Sequence, residues 1–228
     1  MQDFQIEIKY LKRSRRATLR VLPGKLIRVT APFRLSEEEI KNFVSKNSNW
    51  ILKRQQVIES LPRHKPLNFS DGELLPFRGN NFALQIIEGH ASPYLNGTHF
   101  VVSVPKHKRG QTQWIRKKII EWYQVQALAV LSYRVQVYTE LINAKEKSIS
   151  IKNYRSRWGC CSSKGDLVFN WQIITFADEL LNYVVAHEVC HLKEMNHSTR
   201  FYDQLKFLGF EKNKYLALMR MAQNLFII

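Results

Sequence analysis

His187-Glu188-Val189-Cys190-His191, followed six residues later by His197, is the stretch that decides how this chain is read. Histidines four apart on a helix lie on one face, one turn above each other, so both imidazoles can reach a single metal ion. The carboxylate of Glu188 is then placed to take a proton from a metal-activated water. This H-E-x-x-H arrangement is the one zinc hydrolases use, proteases above all.

The bland reading is a helix carrying two ordinary polar-face histidines. Against it, residues 180–186 (LLNYVVA) are strongly apolar and lead straight into the motif. Such a helix is expected to be buried, and burying two imidazoles and a carboxylate without partners is costly. Continuous helix would carry position 197 through about 600° from His191, off the shared face. The chain is therefore expected to leave the helix near Met195-Asn196, since Asn tolerates the left-handed conformation that ends helices. Ser198 then caps a following helix over residues 199–208, stopped by Gly209. Three of the chain's 7 histidines fall within these eleven positions. The expected ligands of one Zn2+ are His187, His191 and His197, with Glu194, on the helical face of the first two, the competing third.

The chain has 228 residues, 45% hydrophobic and 12% aromatic, which is a globular composition rather than a disordered one. Its start shows no signal-peptide pattern and no apolar run approaches a membrane span. Three cysteines, two of them adjacent, make a poor disulfide framework, so a soluble cytoplasmic protein is expected. A net charge of +16 favours polyanions, namely nucleic acid, the ribosome or an anionic membrane, although solubility alone is the plain alternative. Lys9, Lys12, Arg13, Arg15, Arg16 and Arg20 concentrate part of that charge.

Alternation predicts strands over residues 4–31, with a turn at Pro23-Gly24. Ser36 and Glu39 form a capping box that opens one helix running to about residue 61, ended by Pro62. A second group of strands is expected over 72–104, with turns at Gly79-Asn80-Asn81 and Asn96-Gly97. The basic stretch 105–110 divides a strand-rich N-terminal part, 1–105, from a helical catalytic part, 106–228, unless the two form one continuous domain. Beyond it come a long helix over 111–143, strands at 147–153 and 167–171 joined by a loop, the motif helix from about Asp178, and a last helix over 213–225.

Arg157-Trp158-Gly159-Cys160-Cys161-Ser162, Asn170-Trp171, residues 183–192 through the motif, Asn196-His197-Ser198 and Phe201 closely resemble the YgjP-like family. These are predicted bacterial metal-dependent hydrolases related to the SprT-like proteases. The resemblance is dense over about 147–205 and highly specific. It implies an α+β fold with a zincin-like metalloprotease core, zinc ligands at His187, His191 and His197, and Glu188 as general base and acid. The family commonly has Ser where this chain has Cys160, which touches no ligand. By the same resemblance, the strand over 167–171 forms an edge along the cleft and pairs with an extended substrate.

Several other groups are capable of chemistry. Asn170 either faces the cleft or is an ordinary strand residue. Tyr154, Arg155, Arg157 and Tyr202 are candidates to stabilise an oxyanion. Cys160, Cys161 and Cys190 lack thiolate-site spacing, and Cys190 reads as a buried helix thiol. The leading expectation is a zinc-dependent metallopeptidase acting on peptide or protein substrates through a zinc-activated water. The alternative is a nucleic-acid- or ribosome-binding module with a structural or vestigial zinc site, or a protease switched on by nucleic acid. Glu188 favours the enzyme, because a purely structural site needs no base and usually recruits four protein ligands.

Overall fold

The computed structural model describes residues 5–12, 14–22, 26–60, 67–154 and 157–211. The Pro23-Gly24 turn, the stop at Pro62, Arg155 and the last expected helix lie outside them. The chain divides into two compact units, Met1–Arg63 and His64–Ile228, and the fold is mixed α+β. Positions 105 and 106 fall inside the second unit, because the strands before them and the long helix after them share one hydrophobic core.

In the first unit, β1 (Gln5–Tyr10), β2 (Thr18–Val21) and β3 (Leu26–Ala31) form a sheet of order β1-β3-β2, with β1 parallel and β2 antiparallel to β3. Alternation buries Ile27, Val29 and Ala31 against Ile40, Val44 and Ile51, and leaves Arg20 and Arg28 on the wet side. The expected single helix is two, α1 (Glu37–Lys46) and α2 (Ser48–Ser60). Asn47 separates them: its side-chain amide donates to the Phe43 carbonyl at 2.7 Å and ends α1 locally. The Ser36–Glu39 capping box is present.

The second unit opens with a sheet of order β4-β5-β7-β6, made of β4 (Leu74–Phe77), β5 (Asn80–Glu88), β6 (Tyr94–Asn96) and β7 (His99–Val104). The helix α3 (Thr112–Leu141) spans about 45 Å. It buries Ile115, Ile119, Tyr123, Ala127, Leu131 and Val135, one residue every four, a spacing that drifts about 40° per step, so the buried stripe winds slowly around the helix. Tyr123 ties the layers together, donating to the Pro76 carbonyl at 2.7 Å and stacking on Trp171. Of the other α3 aromatics, Tyr138 is buried, Trp114 and Trp122 are half-buried, and Tyr133 is exposed.

A small sheet carries the motif region: β8 (Ser148–Lys152), β9 (Gly159–Cys161) and β10 (Asp166–Asn170), in the order β8-β10-β9. The strand expected at the edge, β10, is instead central, parallel to β8 and antiparallel to β9. A 3-10 helix, Trp171–Thr175, then leads into α4 (Asp178–Cys190), and α5 (Thr199–Phe207) follows.

The start of α4 is held by the β4–β5 hairpin. Its two-residue turn is Arg78-Gly79, both at positive φ (48° and 79°), a primed turn whose twist suits the strands. The expected Gly79-Asn80-Asn81 turn thus sits one residue earlier, with both asparagines in β5. Arg78 and Gly79 donate their amides to the carbonyls of Ile174 and Thr175 at 2.9 and 3.2 Å. The Arg78 guanidinium grips both oxygens of Asp178, the first residue of α4, and holds that carboxyl below its ordinary range. A Cβ on Gly79 would lie 2.9 Å from the Ala177 Cα. Gly79→Ala is therefore expected to destabilise the unit by about 3 kcal/mol, from left-handed strain plus overpacking. A thermal melt should show a drop of roughly 6–12 °C, and an unchanged midpoint would contradict this docking.

Candidate metal centre

His187 and Glu188 sit in the last turn of α4, where Val184, Val185, Ala186 and Val189 anchor the helix in the core. The helix ends at Cys190, and His191 is already its C-cap. The exit is thus earlier than the expected Met195-Asn196, through the turn that starts at His191. Glu194 consequently leaves the helical face on which it would compete as a ligand. Its carbonyl accepts from His191 Nδ1 at 2.9 Å, and Ser198 Oγ donates to its carboxylate at 3.4 Å. Ser198 also caps α5, accepting from the Phe201 amide, and Gly209 follows the helix at φ 88° as expected.

This path returns His197 to α4. One ligand-capable nitrogen from each of His187, His191 and His197 lies within 4.8 Å of the others, and the Nε2 atoms of His187 and His197 are 3.0 Å apart. The ring of Phe201, fully buried, packs against all three imidazoles at centroid distances of 4.6 to 4.9 Å. Tyr202 stacks on His197 from the next position.

The donor set fits a metal ion. Imidazole nitrogens about 2.0–2.1 Å from a tetrahedral zinc lie roughly 3.3 Å apart, within the span found here. A carbonyl only accepts, so the His191–Glu194 contact puts the proton on Nδ1 and frees Nε2 to ligate. Burial pushes the His187 imidazolium down to about 3, helped by His191 and His197, and burial lowers His191 as well. Neutral imidazole is the form that binds metal. His187 Nδ1 is buried with no hydrogen-bond partner among the described residues, a cost that a bond from its other nitrogen to an ion offsets.

Glu188 is 7% exposed. Burial pushes its carboxyl up to about 8, with Arg157 pulling it partly back. Its room comes from Gly159 in β9: a Cβ there would lie 2.6 Å from Glu188 Cγ and 2.9 Å from Oε1. The carboxyl thus rests against the backbone of an edge strand. Gly159 was not singled out from sequence. The Ser162–Gly165 turn signal ahead of β10, with Gly165 at φ 84°, was the available hint that residues 159–161 form the partner strand of a hairpin.

Asn170 is fully buried. Its amide donates to the carbonyls of Tyr154 and Arg157 at 2.9 and 3.4 Å, and its oxygen accepts from the Gln172 amide. It thereby shapes the loop that leads into β9. On that loop, Tyr154 meets Cys160 Sγ through its hydroxyl at 3.5 Å and lies under the Arg157 guanidinium. Cys190 is fully buried, as expected, and burial pushes its thiol up to about 12 and that of Cys161 to about 11. Both stay protonated, which removes them as nucleophiles at neutral pH.

No described helix is long and apolar enough to cross a membrane. No curated protein matches the chain. Among solved structures it is similar to the metallopeptidase zymogen abylysin of Pyrococcus abyssi. The identity is 16% and the TM-score 0.37, over 42% of this chain and 94% of that one. It is also similar to the metallopeptidase zymogen jannalysin of Methanocaldococcus jannaschii, at 26% identity and a TM-score of 0.36, over 42% and 89% of the two chains. The YgjP-like, metallopeptidase domain family model matches residues 15–208, nearly the whole chain. With that span including α4, α5 and the three clustered histidines, the chain belongs to the YgjP-like metallopeptidase family.

Proposed function

We propose that this metallopeptidase is zinc-dependent, with His187, His191 and His197 as the ligands of one ion and Glu188 as general base. The observation that carries the reading is the convergence of three imidazoles beside a buried carboxyl seated on an edge strand. Three protein ligands leave a coordination position open, as catalytic zinc sites do, whereas structural sites are closed by four. A zinc ion held there supplies a Lewis acid that polarises the scissile carbonyl and makes water a competent nucleophile near neutral pH.

The remaining work falls to the chain's own residues. Glu188 accepts the proton of the attacking water and passes it to the amine as the C–N bond breaks, so one water is consumed and an acid and an amine leave. Glu188 must be ionised to accept that proton, and a cation held by the three histidines would counter the burial that raises its carboxyl. The side of β9 away from β10, an edge among the described strands, is the one that offers backbone groups to an extended peptide. Tyr154, Arg157 and Tyr202 border the site and are the described candidates to meet developing negative charge. This arrangement supports the zincin-like reading of the core.

The test is cleavage of a peptide library by metal-loaded protein, read by mass spectrometry. Internal cleavage that stops with a chelator and returns with zinc is the expected result. Intact peptides from fully loaded protein would contradict the proposal.

A further inference from the structure

The N-terminal unit carries a charge pattern that the histidine site does not use. Residues 1–63 hold 14 Lys and Arg against 6 Asp and Glu, a net +8, and from Lys9 to Arg34 there are nine basic residues and no acidic one. A surface made only for solubility intersperses the two signs. The nearest acid before this stretch, Glu7, is paired with Arg28 at 2.9 Å.

An aromatic ring stands within this basic stretch. Phe33, just after β3, is 64% exposed, the most of any large apolar residue in the unit's described part. It stacks on Tyr10 at the end of β1, with centroids 5.5 Å apart and planes 25° from parallel. Stacking on Tyr10 fixes the ring while leaving most of it to solvent. Lys12, Ser14, Arg15, Pro32 and Arg34 line with it one open recess of about 450 Å³. The recess is shaped by backbone contacts: Arg34 donates to the Arg15 carbonyl at 3.0 Å, and Ser14 to the Arg16 carbonyl at 2.8 Å. Lys12, Arg15 and Arg34 have no ion-pair partner among the described residues.

We propose that this recess binds single-stranded nucleic acid, with a base stacked on Phe33 and flanking phosphates held by Lys12, Arg15 and Arg34. Every base has a π-face, so one aromatic platform within a basic groove takes single strands with little sequence preference. Duplex bases are already stacked and have no use for the ring. An anionic membrane calls for an apolar face large enough to enter the lipid, whereas here one ring sits in a recess bordered by cations. The inference is independent of the peptidase reading, since no residue in it belongs to the histidine site.

The test is fluorescence anisotropy of a labelled oligothymidylate with the full chain, beside co-sedimentation with phosphatidylserine vesicles. Wild type is expected to bind the oligonucleotide with an affinity that falls as salt rises. Phe33→Ala should weaken binding about tenfold at fixed salt. Lys12→Gln with Arg15→Gln should lower the slope of log K against log salt by about 1.4, two single-strand phosphates' worth. Phe33 is largely exposed, so its truncation leaves the fold intact, and peptide hydrolysis by that variant should be unchanged. Absence of binding at low salt, equal binding by Phe33→Ala, or preference for vesicles would each overturn the proposal.

Discussion

Glu188→Gln is expected to lower peptide hydrolysis by about 10²–10⁴-fold while leaving the bound metal in place. Glutamine keeps the shape that fits against Gly159 and takes away only the capacity to accept a proton. The variant therefore separates chemistry from packing. A second readout comes from metal-free protein. Burial raises the Glu188 carboxyl to about 8, so the folded state keeps its proton after the unfolded chain has lost its own. Wild-type stability then falls as pH rises from about 4.5 towards 8, and the Gln variant lacks that loss. Turnover at the wild-type rate in a metal-loaded Gln variant would remove Glu188 from the reaction.

Gly159→Ala is expected to be nearly as damaging, although Gly159 has no side chain to offer. The added methyl would lie 2.6 Å from Glu188 Cγ, closer than carbon atoms approach. Either Glu188 turns away from the histidines or β9 moves off β10, and both displace the base by a large fraction of an ångström. Misplacement on that scale costs on the order of 10²-fold in rate. The stability cost should be about 1–3 kcal/mol, as for other overpacked sites. Metal content should stay at the wild-type level, because the three atoms nearest the new methyl all belong to Glu188 and none to a histidine. A variant with unimpaired turnover would show that β9 does not confine Glu188.

The helical parts of this site were legible because their signals are local. The H-E-x-x-H spacing, the apolar run before it, Ser198 as a cap and Gly209 as a stop each act within a few residues, and α4 and α5 follow them. The parts that escaped are set by pairing across the chain. Nothing within residues 167–171 says that β10 is flanked on both sides, since its partners lie in β8 and β9. Strand β9 spans only three residues, too short for alternation to show. The turn after Cys190 is held by Glu194, whose carbonyl accepts from His191 and whose carboxylate accepts from Ser198, contacts that no helix propensity reports. The basic connector at 105–110 looks like a linker, yet β7 and α3 on either side of it pack into one core.

Whether three imidazoles hold one ion is decided by the zinc content of purified wild type and of His187→Ala, His191→Ala and His197→Ala. His197 is exposed, so its truncation leaves the core untouched and makes it the decisive variant. The expected result is one zinc per wild-type chain, a zinc-dependent rise in melting temperature that reflects about 4 kcal/mol at a thousandfold excess over Kd, and loss of both in each variant. A wild type that binds no metal, or a His197→Ala chain that keeps full zinc occupancy and full stabilisation, would contradict it.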